Sequence, residues 1–171
     1  MSDDELIKQI QIGDERAAEE LINRYYAPIL RYCKWHCPDM ARAEDLTQET
    51  FLKLFHNLSA YSGKKKFKAY LYTIANRLCI DESRKTPLYP LIEAEEPAGE
   101  NREMAELENK AEIHYLLQFL SPEQKEAVLL RFGEELAFHE IAVVTGCNLR
   151  TAQSRVRHAL KIMRRELENE K

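Results

Sequence analysis

Three prolines and a glycine, Pro87, Pro90, Pro97 and Gly99, crowd into a short stretch between two long segments that contain few helix breakers. No other feature constrains the fold as strongly. Fixed φ angles and missing N–H donors at that density prevent a regular element from crossing the stretch, so a core must form on each side of it. The same region is acidic: residues 86–112 carry two basic and eight acidic side chains. Residues 1–85 sum to +1, residues 86–112 to −6 and residues 113–171 to +1, so the net charge of −4 resides in the middle and basic clusters survive on either side. This predicts domains over residues 1–86 and 111–171, joined by an acidic linker over 87–110 that turns helical near Ala105.

On both sides the apolar residues recur at three- and four-residue steps. Ser2 with Glu5 fits a capping box, Gly13 sits where a short first helix stops, and Asp14 can cap the next. Leu21, Ile22, Tyr25, Ile29, Leu30 and Cys33 then mark a helix up to Pro38, with a bend or junction expected at Pro28. Further helices are expected over about 40–58 and 67–84. After the linker, Ser121-Pro122-Glu123-Gln124 combines an N-cap serine, proline at the first helical position and glutamine at the third. A short helix over about 138–145, a Gly146-Cys147-Asn148 break and a long helix over about 149–168 complete the chain. No segment shows the sustained two-residue alternation of a half-buried strand, so the expected class is all-α: two small helical domains, the C-terminal one a helix-turn-helix.

With 44% hydrophobic and 32% charged residues, the chain is neither wholly disordered nor collagen-like. It has no apolar run long enough to span a bilayer, and its acidic start does not resemble a signal peptide, so a cytoplasmic protein without membrane insertion is expected. Four cysteines in a chain of this length do not make a disulfide framework.

The C-terminal helix pair carries the clearest functional signal. Phe138, Ile141 and Ala142 give its first helix an apolar face, Gly146 suits the left-handed position of a tight turn, and Asn148 can cap the second helix. Ala152, Val156, Leu160, Met163 and Leu167 fall on one side of that second helix. Arg150, Gln153, Ser154, Arg157, Lys161 and Arg164 fall on the other. Residues 148–165 hold six Lys and Arg and no acidic residue, so the outward face is electropositive, as a duplex-DNA reader requires. The alternative is a solvated basic face.

Leu120-Ser121-Pro122-Glu123-Gln124 through Phe132, Leu136-Ala137-Phe138-His139-Glu140-Ile141-Ala142 and Thr151-Ala152-Gln153-Ser154-Arg155-Val156 together resemble the fourth conserved region of bacterial sigma factors, most closely the extracytoplasmic-function (ECF) group. The resemblance implies that Arg150, Thr151, Gln153, Ser154, Arg157 and Lys161 read the promoter's minus-thirty-five element and that this domain touches the flap of the polymerase β subunit. Ala152 and Gln153 stand where the family usually has valine and then lysine or arginine.

Ala43-Glu44-Asp45-Leu46-Thr47-Gln48-Glu49-Thr50-Phe51-Leu52 resembles the family's core-polymerase-binding helix. Asp45, Gln48, Glu49, Leu52 and His56 share a face by spacing, and a leucine among carboxylates suits a partner helix. By resemblance, Asp45, Gln48 and Glu49 contact the clamp helices of the β′ subunit. Between Tyr61 and Tyr72, aromatics alternate with Lys64, Lys65, Lys66 and Lys68, a mixture in which lysines neutralise phosphates and exposed rings stack on unpaired bases. Phe67 is expected in the core with Leu71, Ile74 and Leu78, whereas Tyr61 and Tyr72 are expected to be exposed. In sigma factors this stretch opens the minus-ten element and traps a flipped base; Asn76, Arg77, Arg84 and Lys85 would extend the track. Tyr70 stands where many members of the group carry tryptophan.

Cys33, His36 and Cys37 lie close enough in sequence to suggest a metal or redox site, but three ligands without a second pair fall short of a zinc pattern. Cys79 and Cys147 are expected to be small buried thiols. No metal, cofactor or catalytic residue is expected. The resulting expectation is an alternative sigma factor that binds core RNA polymerase, recognises promoter DNA, assists its melting, and has an anti-sigma factor as partner. The alternatives are a stand-alone helix-turn-helix regulator and a helical adaptor without DNA binding.

Overall fold

The computed structural model describes residues 1–63, 66–85 and 101–170, without the side chains of 85 and 101–108. The described residues form α1 (Asp3–Gln11), α2 (Glu15–His36), α3 (Met40–Asn57), a 3₁₀ turn (Leu58–Ala60), α4 (Phe67–Lys85), α5 (Asn101–Leu117), α6 (Pro122–Val128), a π turn (Leu129–Gly133), α7 (Phe138–Thr145) and α8 (Leu149–Asn169), with no strand among them. The all-α class holds.

The caps foreseen in the sequence set the helix starts. Ser2 and Glu5 exchange both bonds of a capping box, as do Ser121 and Gln124, while Asp14 accepts from Arg16 and Ala17 at the head of α2. Each satisfies backbone donors that the first turn leaves unpaired. Pro28 does not divide α2, which is continuous from Glu15 to His36. Tertiary packing prevails over the local breaker here: α2 lies against α1, α3 and α4, and Leu21, Ile29, Tyr32 and Cys33 are buried on both sides of the proline.

In the N-terminal half, α3 buries Ala43, Leu46, Thr47, Thr50, Phe51 and Leu54. The two buried threonines return their hydroxyls to the carbonyls of Ala43 and Leu46, each at 2.7 Å, so neither is left unpaired. Helix α4 contributes Phe67, Leu71, Ala75 and Leu78 to the same core. In the C-terminal half, Leu117, Val128, Leu129 and Ala159 form a second cluster, with Trp35 of α2 packed against it.

The two halves are docked. Helix α4 packs on α3 on one side and on α7 on another, and one apolar cluster runs from Leu6 through Leu71 to Leu130, Ile141 and Val156. Residues 86–100, the proline-rich part of the expected linker, lie outside the described residues.

Candidate polymerase and promoter interfaces

Helix α3 turns its apolar side inward, and Asp45, Gln48, Glu49 and Leu52 turn outward at helical spacing. Asp45, Gln48 and Glu49 are exposed, and Leu52 is 71% exposed. A leucine held in water forgoes about 1.5–3 kcal/mol of burial, a debt that a partner helix can settle. The structure therefore brings together the four residues expected to meet the polymerase.

Helix α8 owes its orientation to the turn before it. Gly146 adopts φ 69°, a left-handed conformation that a side chain would strain, and the Asn148 carboxamide oxygen accepts from Thr151 N at 2.8 Å. Ala152, Val156 and Ala159 are buried, leaving Arg150, Gln153, Arg157 and Lys161 exposed, with Thr151 and Ser154 half-buried. The smaller side chain of Ala152 fits a position with no exposure at all. This helix presents a basic outer face without a carboxylate between Asn148 and Arg165.

The stretch from Tyr61 to Arg77 departs from expectation. Lys64 and Lys65 lie outside the described residues; Lys66 and Arg77 are exposed, and Lys68 is half-buried. Tyr61 is half-buried rather than open, its ring 4.9 Å from that of Tyr70 and 6.2 Å from that of Phe67. Burial, aided by the charge of Asp4, pushes its hydroxyl up to about 12. The chain folds back so closely here that a Cβ on Gly63 would meet the Tyr61 hydroxyl at 3.0 Å. Tyr72 is not exposed: it retains 1% of its surface and Asn76 retains 5%. Both are covered by the C-terminal half, through two glutamates that the sequence reading did not single out.

Glu134 is the first. It follows the π turn, where Glu134 N bonds Leu129 O at 3.1 Å and the next residue, Glu135, takes φ 58°. This kink delivers the Glu134 side chain into the domain junction. Its carboxylate accepts from Arg31 Nη2 at 2.9 Å, Arg31 Nε at 3.1 Å and the Tyr72 hydroxyl at 2.6 Å, while Lys68 Nζ donates to its carbonyl at 2.9 Å. Burial and the adjacent carboxylate push the Tyr72 hydroxyl far above its ordinary value, so it remains a donor.

Glu126, on α6, is the second. It pairs with His36 Nε2 at 2.7 Å and accepts from Asn76 Nδ2 at 3.1 Å and from the fully buried Tyr32 hydroxyl. Burial works against its ionisation, but His36, Tyr32 and Asn76 outweigh that cost and hold the carboxyl below its ordinary range. His36 is thus committed to a carboxylate, while Cys33 points elsewhere, its sulfur 3.8 Å from that of Cys79. Cys33, His36 and Cys37 do not converge, and no metal-ligand cluster occurs among the described residues. Cys79 is buried and Cys147 half-buried. No described helix is long and apolar enough to cross a membrane.

Family models and known proteins match this architecture. Sigma-70 region 2 matches residues 21–87, and Sigma-70, region 4 matches residues 110–163. RNA polymerase sigma-H factor of Pseudomonas aeruginosa is 29% identical, over 97% of this chain and 94% of its own. ECF RNA polymerase sigma factor SigW of Bacillus subtilis is 25% identical, over 94% of each chain. Among solved structures, CnrH in complex with the cytosolic domain of CnrY superposes with a TM-score of 0.77 at 20% identity over 97% of both chains, a likeness of fold. With both conserved regions in order on one helical chain, the protein belongs to the extracytoplasmic-function group of the sigma-70 family and is an alternative sigma factor, a subunit that joins core RNA polymerase to promoter DNA and assists its melting.

Proposed function

We propose that the work of this sigma factor is divided between two faces of opposite character. Asp45, Gln48, Glu49 and Leu52 on α3 dock on the clamp helices of the β′ subunit. Arg150, Thr151, Gln153, Ser154, Arg157 and Lys161 on α8 read the minus-thirty-five duplex, while the C-terminal domain touches the β flap. Tyr61, Lys64, Lys65, Lys66, Lys68, Tyr72, Asn76 and Arg77 hold the opened minus-ten strand. The observation that supports this division best is the pairing of an exposed acidic-apolar face on α3 with a basic and polar one on α8, since solvation alone explains neither the bare Leu52 nor the absence of carboxylates on the second.

On this reading the functional units are residues 1–86 and 111–171, and the acidic 87–110 linker threads toward the RNA exit path, where its charge resembles that of nucleic acid. The chain contributes no catalytic group, and it works in the cytoplasm. CnrH, whose fold it shares, was solved with a protein domain bound; by analogy an anti-sigma factor is a partner here.

Run-off transcription with core polymerase tests the assignment. Replacing Asp45, Gln48 and Glu49 together by alanine should abolish co-purification with core and transcription. These side chains are exposed, so stability should stay within about 0.5 kcal/mol of wild type. A triple variant that still binds core and initiates at wild-type levels refutes the α3 assignment.

A further inference from the structure

Lys68, Tyr72 and Asn76 recur at four-residue steps, so they form one polar stripe along α4. Every one of them is bonded to the C-terminal half: Lys68 Nζ to Glu134 O at 2.9 Å, the Tyr72 hydroxyl to the Glu134 carboxylate at 2.6 Å, and Asn76 Nδ2 to Glu126 Oε1 at 3.1 Å. From α2, Arg31 reaches the Glu134 carboxylate through two nitrogens, and His36 Nε2 lies 2.7 Å from the Glu126 carboxylate. Two carboxylates thus hold an arginine, a phenol and a carboxamide, and the Glu134 carbonyl holds a lysine, the kinds of donor that would otherwise meet phosphate oxygens. The stripe is 1% exposed at Tyr72 and 5% exposed at Asn76, which leaves no room for a strand of nucleic acid.

We infer that Glu126 and Glu134 form an intramolecular latch that closes the free chain against promoter DNA by occupying its single-strand-binding stripe, so that the two halves must separate before the minus-ten strand can be held. The latch rests on the proposed DNA role of Lys68, Tyr72 and Asn76, but the closure itself does not. It is built to release: its bonds are polar and charge-assisted, and Arg31 keeps 53% of its side-chain surface, so ions and competing phosphates can reach one end of it. A closed population lowers the apparent DNA affinity by the fraction that is open. A chain only about 1% open therefore binds about a hundredfold more weakly than an unlatched one.

The test uses the full chain with both glutamates made neutral, E126Q/E134Q, and a control, E123Q/E135Q, that makes the same charge change at exposed positions of the same region. Small-angle scattering reads closure without DNA. The wild type should show a radius of gyration near the ~16 Å of a compact chain of this length, and so should the control, while the latch variant should be clearly larger. Fluorescence anisotropy with a single-stranded oligonucleotide should show binding strengthened at least tenfold in E126Q/E134Q and much less in the control. R31A, which cuts the latch from an exposed side chain, should shift both readouts in the same direction and serves if the double variant does not fold.

Unchanged scattering in both latch variants overturns the proposal. So does an affinity gain equal to that of the control, because bulk charge would then explain it. If the latch variants open and gain affinity, adding K68A and N76A to them should remove the gain. Opening with a gain that survives those changes would refute the DNA role of the stripe and with it the inhibitory part of the latch, while the α3 assignment, read by core co-purification, would stand or fall separately.

Discussion

Tyr32→Phe removes a single oxygen from the centre of the domain junction, and its cost can be worked out from what that oxygen touches. Tyr32 has no exposed surface; its hydroxyl donates to Glu126 and accepts from Asn76 at 3.0 Å. The ring itself packs edge-on against Tyr72 at 5.5 Å and His36 at 4.8 Å, contacts that phenylalanine keeps. The substitution orphans no partner, since Asn76 still reaches Glu126 at 3.1 Å and Glu126 still has His36 at 2.7 Å. What is lost is one hydrogen bond to a charged acceptor, about 1.5–3 kcal/mol. In a chain of this size that is a fall of roughly 3–12 °C in Tm, or a urea midpoint lower by on the order of 1 M.

The pH dependence adds a second check with a definite sign. The Glu126 carboxyl is held below its ordinary value, so the stability it supplies is fully present above about pH 4.3 and is lost as pH falls through its lower folded value. Tyr32 is one of the groups that lower it. The gap between wild type and Y32F should therefore be full at neutral pH and narrow below about pH 4.3. Helix content by circular dichroism and fluorescence of Trp35 make a suitable pair of probes, because the lone tryptophan lies at the junction, 4.5 Å from the His114 ring. A midpoint shift under about a fifth of the expected 1 M, or a gap that does not change with acid, would refute the claim that this hydroxyl supports an ionised, buried carboxylate.

Other outcomes follow from the same geometry. Arg150→Ala or Arg157→Ala should cost about 1–3 kcal/mol of binding wherever the guanidinium meets a base, and transcription from a promoter stripped of its upstream element should not change; equal damage on both templates would point to a folding role. Gly146→Ala places a side chain at φ 69° and should lower stability by about 1–2 kcal/mol in thermal melts, weakening duplex binding only through lost fold. Alanine at Tyr61 should impair opening of a duplex promoter, read by permanganate reactivity of unpaired thymines, and should be largely rescued on a template supplied already melted.

Much of this architecture is legible in the sequence because its signals are local. Ser2 with Glu5, Ser121 with Gln124, and Asn148 with Thr151 each satisfy a backbone donor three positions away, so the cap can be read directly from spacing. The exposed faces of α3 and α8 are equally legible, since the buried complement of each is an apolar stripe at helical period. Pro28 is different, because whether a breaker breaks depends on packing that its neighbours do not reveal. The latch is less legible still: the partners of Lys68, Tyr72 and Asn76 lie 66, 62 and 50 residues away, and Glu126 and Glu134 look like ordinary surface glutamates on a helix and in a loop.

Helix α4 shows why a sequence can point correctly to chemistry and incorrectly to exposure. Its apolar stripe, Phe67, Leu71 and Leu78, predicts one buried side, and the polar stripe of Lys68, Tyr72 and Asn76 then reads as the wet side. A donor-rich stripe is suited to any dense array of acceptor oxygens, and its residue types do not distinguish a carboxylate of the same chain from a phosphate of another. The closed fold and the DNA-binding assignment are therefore compatible only as alternatives in time. Whatever ligand takes the stripe must bind with enough free energy to offset the bonds made by Glu126 and Glu134, so the strength of the latch sets the threshold at which core polymerase and promoter together can open the protein.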